Sequence, residues 1–394
     1  MKIALVNTAL PFGGTTTFSL FLALGLKQLG VSVKVFSLSR DHPMECEFNR
    51  LEVPVYLCDD RKLVFEDRLT EVLAQLRVFE PSSIISGLGP QAFEILRYVP
   101  NGVFRIGMLQ DHHPDVYKLV QIYRQYVDHF AAVSRTIKTE VAVKYPSAPC
   151  SYLPYGIHLG NEESRSPHEK QPIKILYFGR LYQLQKQVRL LPEIWHALQR
   201  QGIPFQWTIL GEGPEKPFLR EKMAQGVQAG EIIFVSPIFD RRELARVIAA
   251  HDIFLLCSAH EGLPLALLEA MGHGLVPVCG DIPSLAQGAI GADNGFLVRQ
   301  DSPDAYAAAI GGLSRDRVML ERMSTRSRVI FDQDYTHLVM ARRYIELIEK
   351  YAQDKVVAWP NTFSPRPPLG MEKTLYMNPK LRPLRRLYKR LKLS

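Results

Sequence analysis

Two carboxylates, Glu261 and Glu269, stand eight residues apart in the run HEGLPLALLEAMGHG, residues 260–274. Gly262 and Pro264 interrupt the chain between them, and the apolar residues from Leu265 onward read as a helix with the proline at its first position. Proline is tolerated there because the N–H it lacks would have no intrahelical acceptor. Gly262, Leu263, Pro264 and Leu265 would then open a helix whose N-terminal amides and dipole attract an anion. One carboxylate lies just before that anion site and the other about one and a half turns beyond it. Sugar hydroxyls, a diphosphate and ribose hydroxyls, as in a nucleotide sugar, would suit that layout. On this stretch alone, two solvated glutamates around an ordinary helix start explain the pattern equally well.

A diphosphate also needs cations. In YFGRLYQLQK, residues 177–186, Arg180 and Lys186 follow directly on an apolar run that reads as a strand. Arginine offers a bidentate fork to phosphate and lysine a compact point charge. In ILGEGP, residues 209–214, Gly211 and Gly213 form another strand-to-helix turn, open enough for backbone to approach a ligand closely. Taken singly, the first of these is an ordinary basic surface loop and the second an ordinary turn.

The elements that must position these residues alternate regularly. Strand-like runs occur at 2–8, 31–38, 82–87, 103–109 and 129–134, with helical stretches between them, among them one from Thr15 to Leu29 closed by Gly30. A second series follows at 173–179, 205–211, 231–236, 252–258, 275–280 and 295–298. Strands alternating with helices predict mostly parallel sheets covered on both faces, with ligands beyond the carboxyl ends of the strands. Residues 146–157 and the polar run 160–172 read as a linker. The expected architecture is α/β: a Rossmann-like domain over 1–160, a second over 170–335, a closing helix over 336–353, and a Pro-rich linker with a basic tail over 354–394. Two such domains facing across a cleft would put the site between them.

The charge distribution narrows the partners. The 394 residues carry a net charge of +8, 46% hydrophobic and 22% charged residues. Residues 355–394 hold ten Lys/Arg and one acidic residue, a net +9, so the other 354 residues sum to −1. A near-neutral body argues against a nucleic-acid-binding face. In the tail, Leu384, Leu387, Tyr388 and Leu391 share a helical face, with Arg385, Arg386, Lys389, Arg390 and Lys392 off it. Residues 381–394 therefore read either as a binder of an anionic membrane surface or as a tail packed on the protein. No run reaches the roughly 18 apolar residues of a membrane span. Met1-Lys2 leads straight into a strand with no leader pattern. Five cysteines without a C-x-x-C pair suit a reduced compartment. The expected location is cytoplasmic, with peripheral contact at the inner membrane face.

Together, the order and spacing of the three second-domain segments resemble the family 4 retaining glycosyltransferases of the GT-B fold. Gly179-Arg180-Leu181 with Lys186, Gly211-Glu212-Gly213-Pro214, and Ser258 through Gly274 match the family's signature in turn. DNGFLV (293–298), Gly13-Gly14, AVSR (132–135) and LPYGI (153–157) also match, so the resemblance spans roughly residues 1–350. It implies that the first domain takes the acceptor and the second the donor. It further implies that Glu269 holds the donor ribose, Glu261 orients the donor sugar, and Arg180 and Lys186 neutralise the departing diphosphate. Gly13 and Gly14 would approach the phosphate, while Gly179, Gly211, Gly213 and the 262–265 segment would line the donor site. The implied reaction is retaining transfer from a UDP- or GDP-sugar to an acceptor glycan or lipid-linked glycan, with no separate cofactor and no metal.

Two departures qualify the match. The family spaces its Arg and Lys one residue closer, so the loop to Lys186 must bulge. Where many members carry a first-domain histidine, this chain has Gln110, with His112 and His113 nearby. One of the three could contact sugar or acceptor, or the His-His pair is simply an exposed turn before Pro114. A third metal ligand at suitable spacing is lacking. The chain has no G-x-x-x-x-G-K-[ST] loop, and ALPFGGTT lacks G-x-G-x-x-G spacing, which excludes P-loop and nicotinamide chemistry. A hydrolase would need one of its two carboxyls held protonated, which suits Glu269 on an anion-facing helix poorly. The rival readings are a nucleotide-sugar-binding protein without catalysis and a nucleotide-sugar epimerase of the same architecture.

Overall fold

The computed structural model describes residues 1–61, 63–87, 89–160, 172–353, 357–367, 369 and 381–391. The chain divides into two compact units, one of Met1–Val133, Ile137–Gly156 and His337–Ser394, the other of Ser134–Thr136 and Ile157–Thr336. Each has its own parallel sheet.

In the first unit the strands are β1 (Lys2–Asn7), β2 (Ser32–Ser37), β3 (Val55–Leu57), β4 (Ser83–Ser86), β5 (Phe104–Leu109), β6 (His129–Ala132) and β7 (Cys150–Tyr152). Their order across the sheet is β3-β2-β1-β4-β5-β6-β7, and every neighbouring pair runs parallel. The central strands are apolar without alternation, as expected where helices cover both faces. Ile3, Ala4, Val6, Ile84, Ile106 and Met108 are completely buried.

Two strands depart from the sequence expectation. β3 had no apolar run to announce it, and β7 lies inside the stretch read as a linker. Both are three-residue edge strands flanked by prolines, Pro54 for β3, Pro149 and Pro154 for β7. Each is held by pairing on one side only, Val35 with Val55 and Phe130 with Cys150. Edges tolerate proline and need little apolar sequence of their own.

The helix His337–Tyr351 follows the second series in sequence but packs within the first unit. It lies so close to the helix Gly14–Gln28 that a Cβ on Gly25 would fall 2.5 Å from the His337 carbonyl oxygen. His337 Nε2 and Gln28 Oε1 lie 2.8 Å apart. Tyr344 is fully buried beside Phe18. In the second unit the Ile157 N–H donates to the Tyr335 carbonyl at 2.8 Å.

The C-terminal extension also belongs to the first unit. Arg77 donates to the Asn361 carbonyl at 2.7 Å, and the Arg366 N–H donates to the Tyr98 hydroxyl at 2.8 Å. The helix Arg382–Leu391 is then anchored on two carboxylates at the start of the helix Phe65–Phe79. Arg382 Nη2 reaches Asp67 Oδ1 at 2.8 Å, Arg386 Nε reaches Asp67 Oδ2 at 2.7 Å, and buried Arg385 pairs with buried Glu66. Leu384, on the face the arginines leave, is 62% exposed. Of the two sequence readings for the tail, packing on the protein is therefore realised for these three arginines. Among the described residues no helix is long and apolar enough to cross a membrane.

The second unit has β8 (Ile173–Phe178), β9 (Phe205–Leu210), β10 (Ile232–Val235), β11 (Ile253–Leu256), β12 (Val276–Gly280) and β13 (Phe296–Val298) in the order β10-β9-β8-β11-β12-β13. All pairs are again parallel. Trp195, Trp207, Tyr177 and Tyr306 fill its core together with aliphatic residues of β8 to β12, and Phe296 and Val298 of β13 pack against it partly buried. In this unit the space beside Gly211 and Gly213 is occupied by protein. A Cβ on Gly211 would lie 2.0 Å from the Gly179 carbonyl oxygen, and one on Gly213 would lie 2.3 Å from that of Leu181. The loop after β9 thus nests on the loop after β8, tied by Leu181 N–H to the Glu212 carbonyl at 2.8 Å and Glu215 N–H to the Leu181 carbonyl at 3.2 Å. Backbone cannot yield as a flexible side chain can. Gly213→Ala is expected to destabilise this unit by about 1–3 kcal/mol through overpacking, seen as a lower denaturation midpoint with an unchanged denaturant slope. Wild-type stability in this variant would show that the nested loops separate freely.

Candidate active site

From β8 the chain winds outward to β9 and β10, then returns to β11 on the other side of β8 and proceeds to β12 and β13. The order reverses between β8 and β11, and beyond their carboxyl ends lies the crevice such sheets use for ligands. The loop after β8 begins with Gly179, Arg180 and Leu181, and that after β11 runs through Ser258, Glu261 and Pro264. Both carry the charged residues singled out in the sequence.

Several hydrogen bonds stitch the two loops together. After Leu181 the chain makes one short helix, Gln183–Lys186, closed by Gln187 in the left-handed region at φ 48°. The Ala259 N–H donates to the Gln185 carbonyl at 2.7 Å, and Cys257 Sγ donates to the Lys186 carbonyl at 3.2 Å. Gln300 Nε2 reaches the Ser258 carbonyl at 2.7 Å and Gln187 Oε1 at 3.1 Å. The result brings Lys186 Nζ to 2.5 Å from Glu261 Oε1, with both side chains largely buried. Arg180 is exposed, and its Nη2 donates to Gln185 Oε1 at 2.7 Å. Its carbonyl accepts from the buried Tyr177 hydroxyl at 2.9 Å. Burial pushes the Cys257 thiol up to about 12, against the opposing charge of Lys186, so it remains a protonated hydrogen-bond donor and no nucleophile.

The helix after this loop spans Leu265–Gly272, and Pro264 occupies its cap. That is one position earlier than expected, because Pro264 keeps an extended ψ of 121° and only its carbonyl joins the helix, accepting from Leu267 N–H at 3.1 Å. The amides of Gly262, Leu263 and Leu265 remain at the helix start, where no intrahelical acceptor exists. Pro264 itself supplies none. Ser258 Oγ is buried there without a hydrogen-bond partner among the described residues. Glu269, in the second turn, is buried and pairs with Arg241 Nη1 at 2.8 Å. Arg241 is the first residue of the helix Arg241–Ala249, whose cap Asp240 accepts from the Glu243 N–H at 2.8 Å.

In the first unit the corresponding reversal lies between β1 and β4. Gly13 follows β1 with φ 142°, a conformation L side chains rarely adopt, and no atom lies within 4 Å of where its Cβ would be. Gly14 starts the helix that follows. Gln110, at the end of β5, is buried with both amide atoms unpartnered. His112 Nε2 is likewise buried and unpartnered, its ring edge-on to Tyr117. His113 instead caps the helix Pro114–Tyr123, its Nδ1 accepting from the Asp115 N–H at 3.3 Å. Among the described residues no group of three His, Cys, Asp or Glu could hold a metal ion.

Thus Arg180, Lys186 and Glu261 converge with the 262–265 backbone in the second unit, and Glu269 sits one turn along the same helix. Gly13, Gly14, Gln110 and His112 belong to the other unit. Sequence reasoning missed Gln185, Gln300 and Arg241. Gln185 lies inside the loop already singled out, whereas Arg241 sits in the charged run Asp240-Arg241-Arg242-Glu243, which reads as a solvated helix start.

Residues 172–316 match the family described as Glycosyl transferases group 1. The putative colanic acid biosynthesis glycosyltransferase WcaL of Salmonella typhimurium is 30% identical over 188 residues, 45% of each chain. The GDP-mannose:cellobiosyl-diphosphopolyprenol alpha-mannosyltransferase of Xanthomonas oryzae is 28% identical over 179 residues, 44% of this chain and 45% of that protein. The matched region thus spans just under half the length of these curated relatives. Among solved structures, the pneumococcal O-GlcNAc transferase GtfA in complex with UDP and GlcNAc superposes with a TM-score of 0.71 at 15% identity, covering 90% of this chain and 99% of that one. HepE of Anabaena in complex with UDP and glucose gives 0.71 at 16% identity, covering 89% and 99%. These likenesses agree with the two parallel sheets: the fold is GT-B, and its residues 172–316 match the glycosyl transferases group 1 family.

Proposed function

We propose that the protein is a retaining, metal-independent glycosyltransferase that moves a sugar from a UDP- or GDP-sugar to a hydroxyl of an acceptor glycan or lipid-linked glycan in polysaccharide or glycoconjugate synthesis. The observation that carries this reading is the meeting of Lys186 and Glu261 at the strand-order reversal, 2.5 Å apart, with Arg180 on the adjoining loop. Breaking a glycosyl–phosphate bond leaves negative charge on the departing diphosphate and positive charge on the sugar. Fixed cations are worth most where that charge develops in a water-poor site. Arg180 and Lys186 meet the diphosphate, aided by the amides of Gly262 and Leu263. Glu261 keeps its second oxygen for donor-sugar hydroxyls, and Glu269 takes the ribose. In the first unit, the open backbone at Gly13 leaves room for a ligand phosphate, the role assigned to Gly13 and Gly14. The unpartnered polar atoms of Gln110 and His112 meet sugar or acceptor hydroxyls. The relative acting on a cellobiosyl-diphosphopolyprenol supports a lipid-linked acceptor, and the UDP bound in GtfA and HepE supports a uridine donor.

The reading includes peripheral contact with an anionic membrane through residues 381–394, where Leu384 is exposed. Arg382, Arg385 and Arg386 are already paired with Asp67 and Glu66, so that contact draws on the rest of the segment or on exchange of those pairs.

A thermal-shift screen against GDP-, UDP- and ADP-sugars identifies the donor without any assumption about the acceptor. Transfer assays with that donor then separate a transferase from a binding protein, which does not turn over, and from an epimerase, which needs no acceptor. Arg180→Ala is expected to lower kcat by about 10²–10³, the usual loss on removing one preorganised electrostatic contact, with a small change in donor KM. Glu269→Ala is expected to weaken nucleotide binding about 10–100-fold, in keeping with a lost hydrogen bond to a charged group. Wild-type nucleotide affinity and turnover in both variants would refute the assignment. Deleting residues 371–394 should reduce sedimentation with vesicles containing anionic lipid, and unchanged binding would remove the membrane from the reading.

A further inference from the structure

Arg241 lies where helix energetics disfavour a cation. It is the first residue of the helix Arg241–Ala249, at the positive end of the helix dipole. Asp240 at the cap and Glu243 in the first turn have the sign that end favours. The reason for an arginine there lies on the neighbouring helix: Arg241 Nη1 is 2.8 Å from Glu269 Oε1, with side-chain exposures of 21% and 5%. Glu269 has Leu267, Leu268, Ala270 and Met271 around it in its own helix, all buried. A carboxylate so enclosed carries a desolvation cost that a cation must offset. A glutamate has three side-chain torsions, and an ion pair at one oxygen restricts them before any ligand arrives. An ionised carboxyl group has about four acceptor sites, so the second oxygen still accepts from two adjacent hydroxyls.

We infer that Arg241 is a positioning residue for ribose recognition: it orients the Glu269 carboxylate so that its other oxygen meets the 2′- and 3′-hydroxyls of the nucleotide, without itself touching the reacting atoms. This rests on the reading of Glu269 as the ribose carboxylate given above.

The test is titration calorimetry of the full-length protein with UDP and GDP and with their 2′,3′-dideoxy forms, which lack both hydroxyls. Wild-type protein is expected to prefer the better-bound ribonucleotide over its dideoxy form by about tenfold or more. Glu269→Ala should abolish that preference. Arg241→Ala and Arg241→Gln should abolish most of it while leaving affinity for the dideoxy form within about twofold, and Arg241→Lys should restore part. The double variant Arg241→Ala/Glu269→Ala should lose no more discrimination than Glu269→Ala alone. If the Arg241 variants keep full preference while Glu269→Ala loses it, the positioning role is wrong and the ribose reading stands. If they weaken ribo and dideoxy forms equally, the pair is merely structural and the inference is likewise overturned. Full preference in Glu269→Ala would overturn the ribose reading and the inference together. Should Arg241→Ala fail to fold, the Gln and Lys variants decide the same question.

Discussion

Every described strand pair in both sheets is parallel, and most of the structure follows from that constraint. Parallel neighbours cannot be joined by a tight turn, so each connection must cross over the sheet, usually as a helix. Crossovers keep one hand, and a sheet can grow to both sides of its first strand only if the chain returns to the start once. That single return, between β8 and β11 in the second unit, leaves two loops side by side with no crossover between them. The charged residues that matter for the proposed chemistry come from those two loops and the helix behind one of them.

Holding such loops close requires that nothing project between them. Hydrogen bonds from Ala259, Cys257 and Gln300 draw the β11 loop onto the segment 185–187, and the glycine turn after β9 supports Arg180 from below. The two carboxylates are then buried in pairs, Glu261 with Lys186 and Glu269 with the partly buried Arg241. Buried pairs contribute little net stability, but loss of one partner strands the other at high cost. What they provide here is fixed direction, which the proposed transfer chemistry requires before a substrate arrives.

Much of this was legible beforehand. Eleven of the thirteen strands appeared as apolar runs, and in the nine central ones burial on both faces removes the polar alternation that would blur them. The edge strands β3 and β7 stayed hidden because pairing with one neighbour, rather than their own apolar content, holds them in place. Arg180, Lys186, Glu261 and Glu269 stood out because they follow strands at carboxyl ends, where local sequence and sheet geometry coincide. Arg241 did not, since an arginine in a charged helix start looks solvated until the neighbouring helix is seen. Gln110, His112 and His113 were left as alternatives, and the cap that the His113 ring nitrogen makes on its own helix is a local hydrogen bond that the His-His-Pro run alone does not announce.

The sequence by itself determined where strands and helices begin, which loops carry charge, and that the basicity is confined to the tail. These are local properties, governed by apolar periodicity, helix capping and composition. Only the tertiary structure decided which charges meet. The crossing order brought the β8 and β11 loops together, the packing of two helices gave Glu269 its partner, and the carboxylates Glu66 and Asp67 claimed the tail arginines more than 300 positions away in the chain. The physical reason is that an ion pair forms according to distance and shared desolvation, and neither is written in the separation of two residues along the chain.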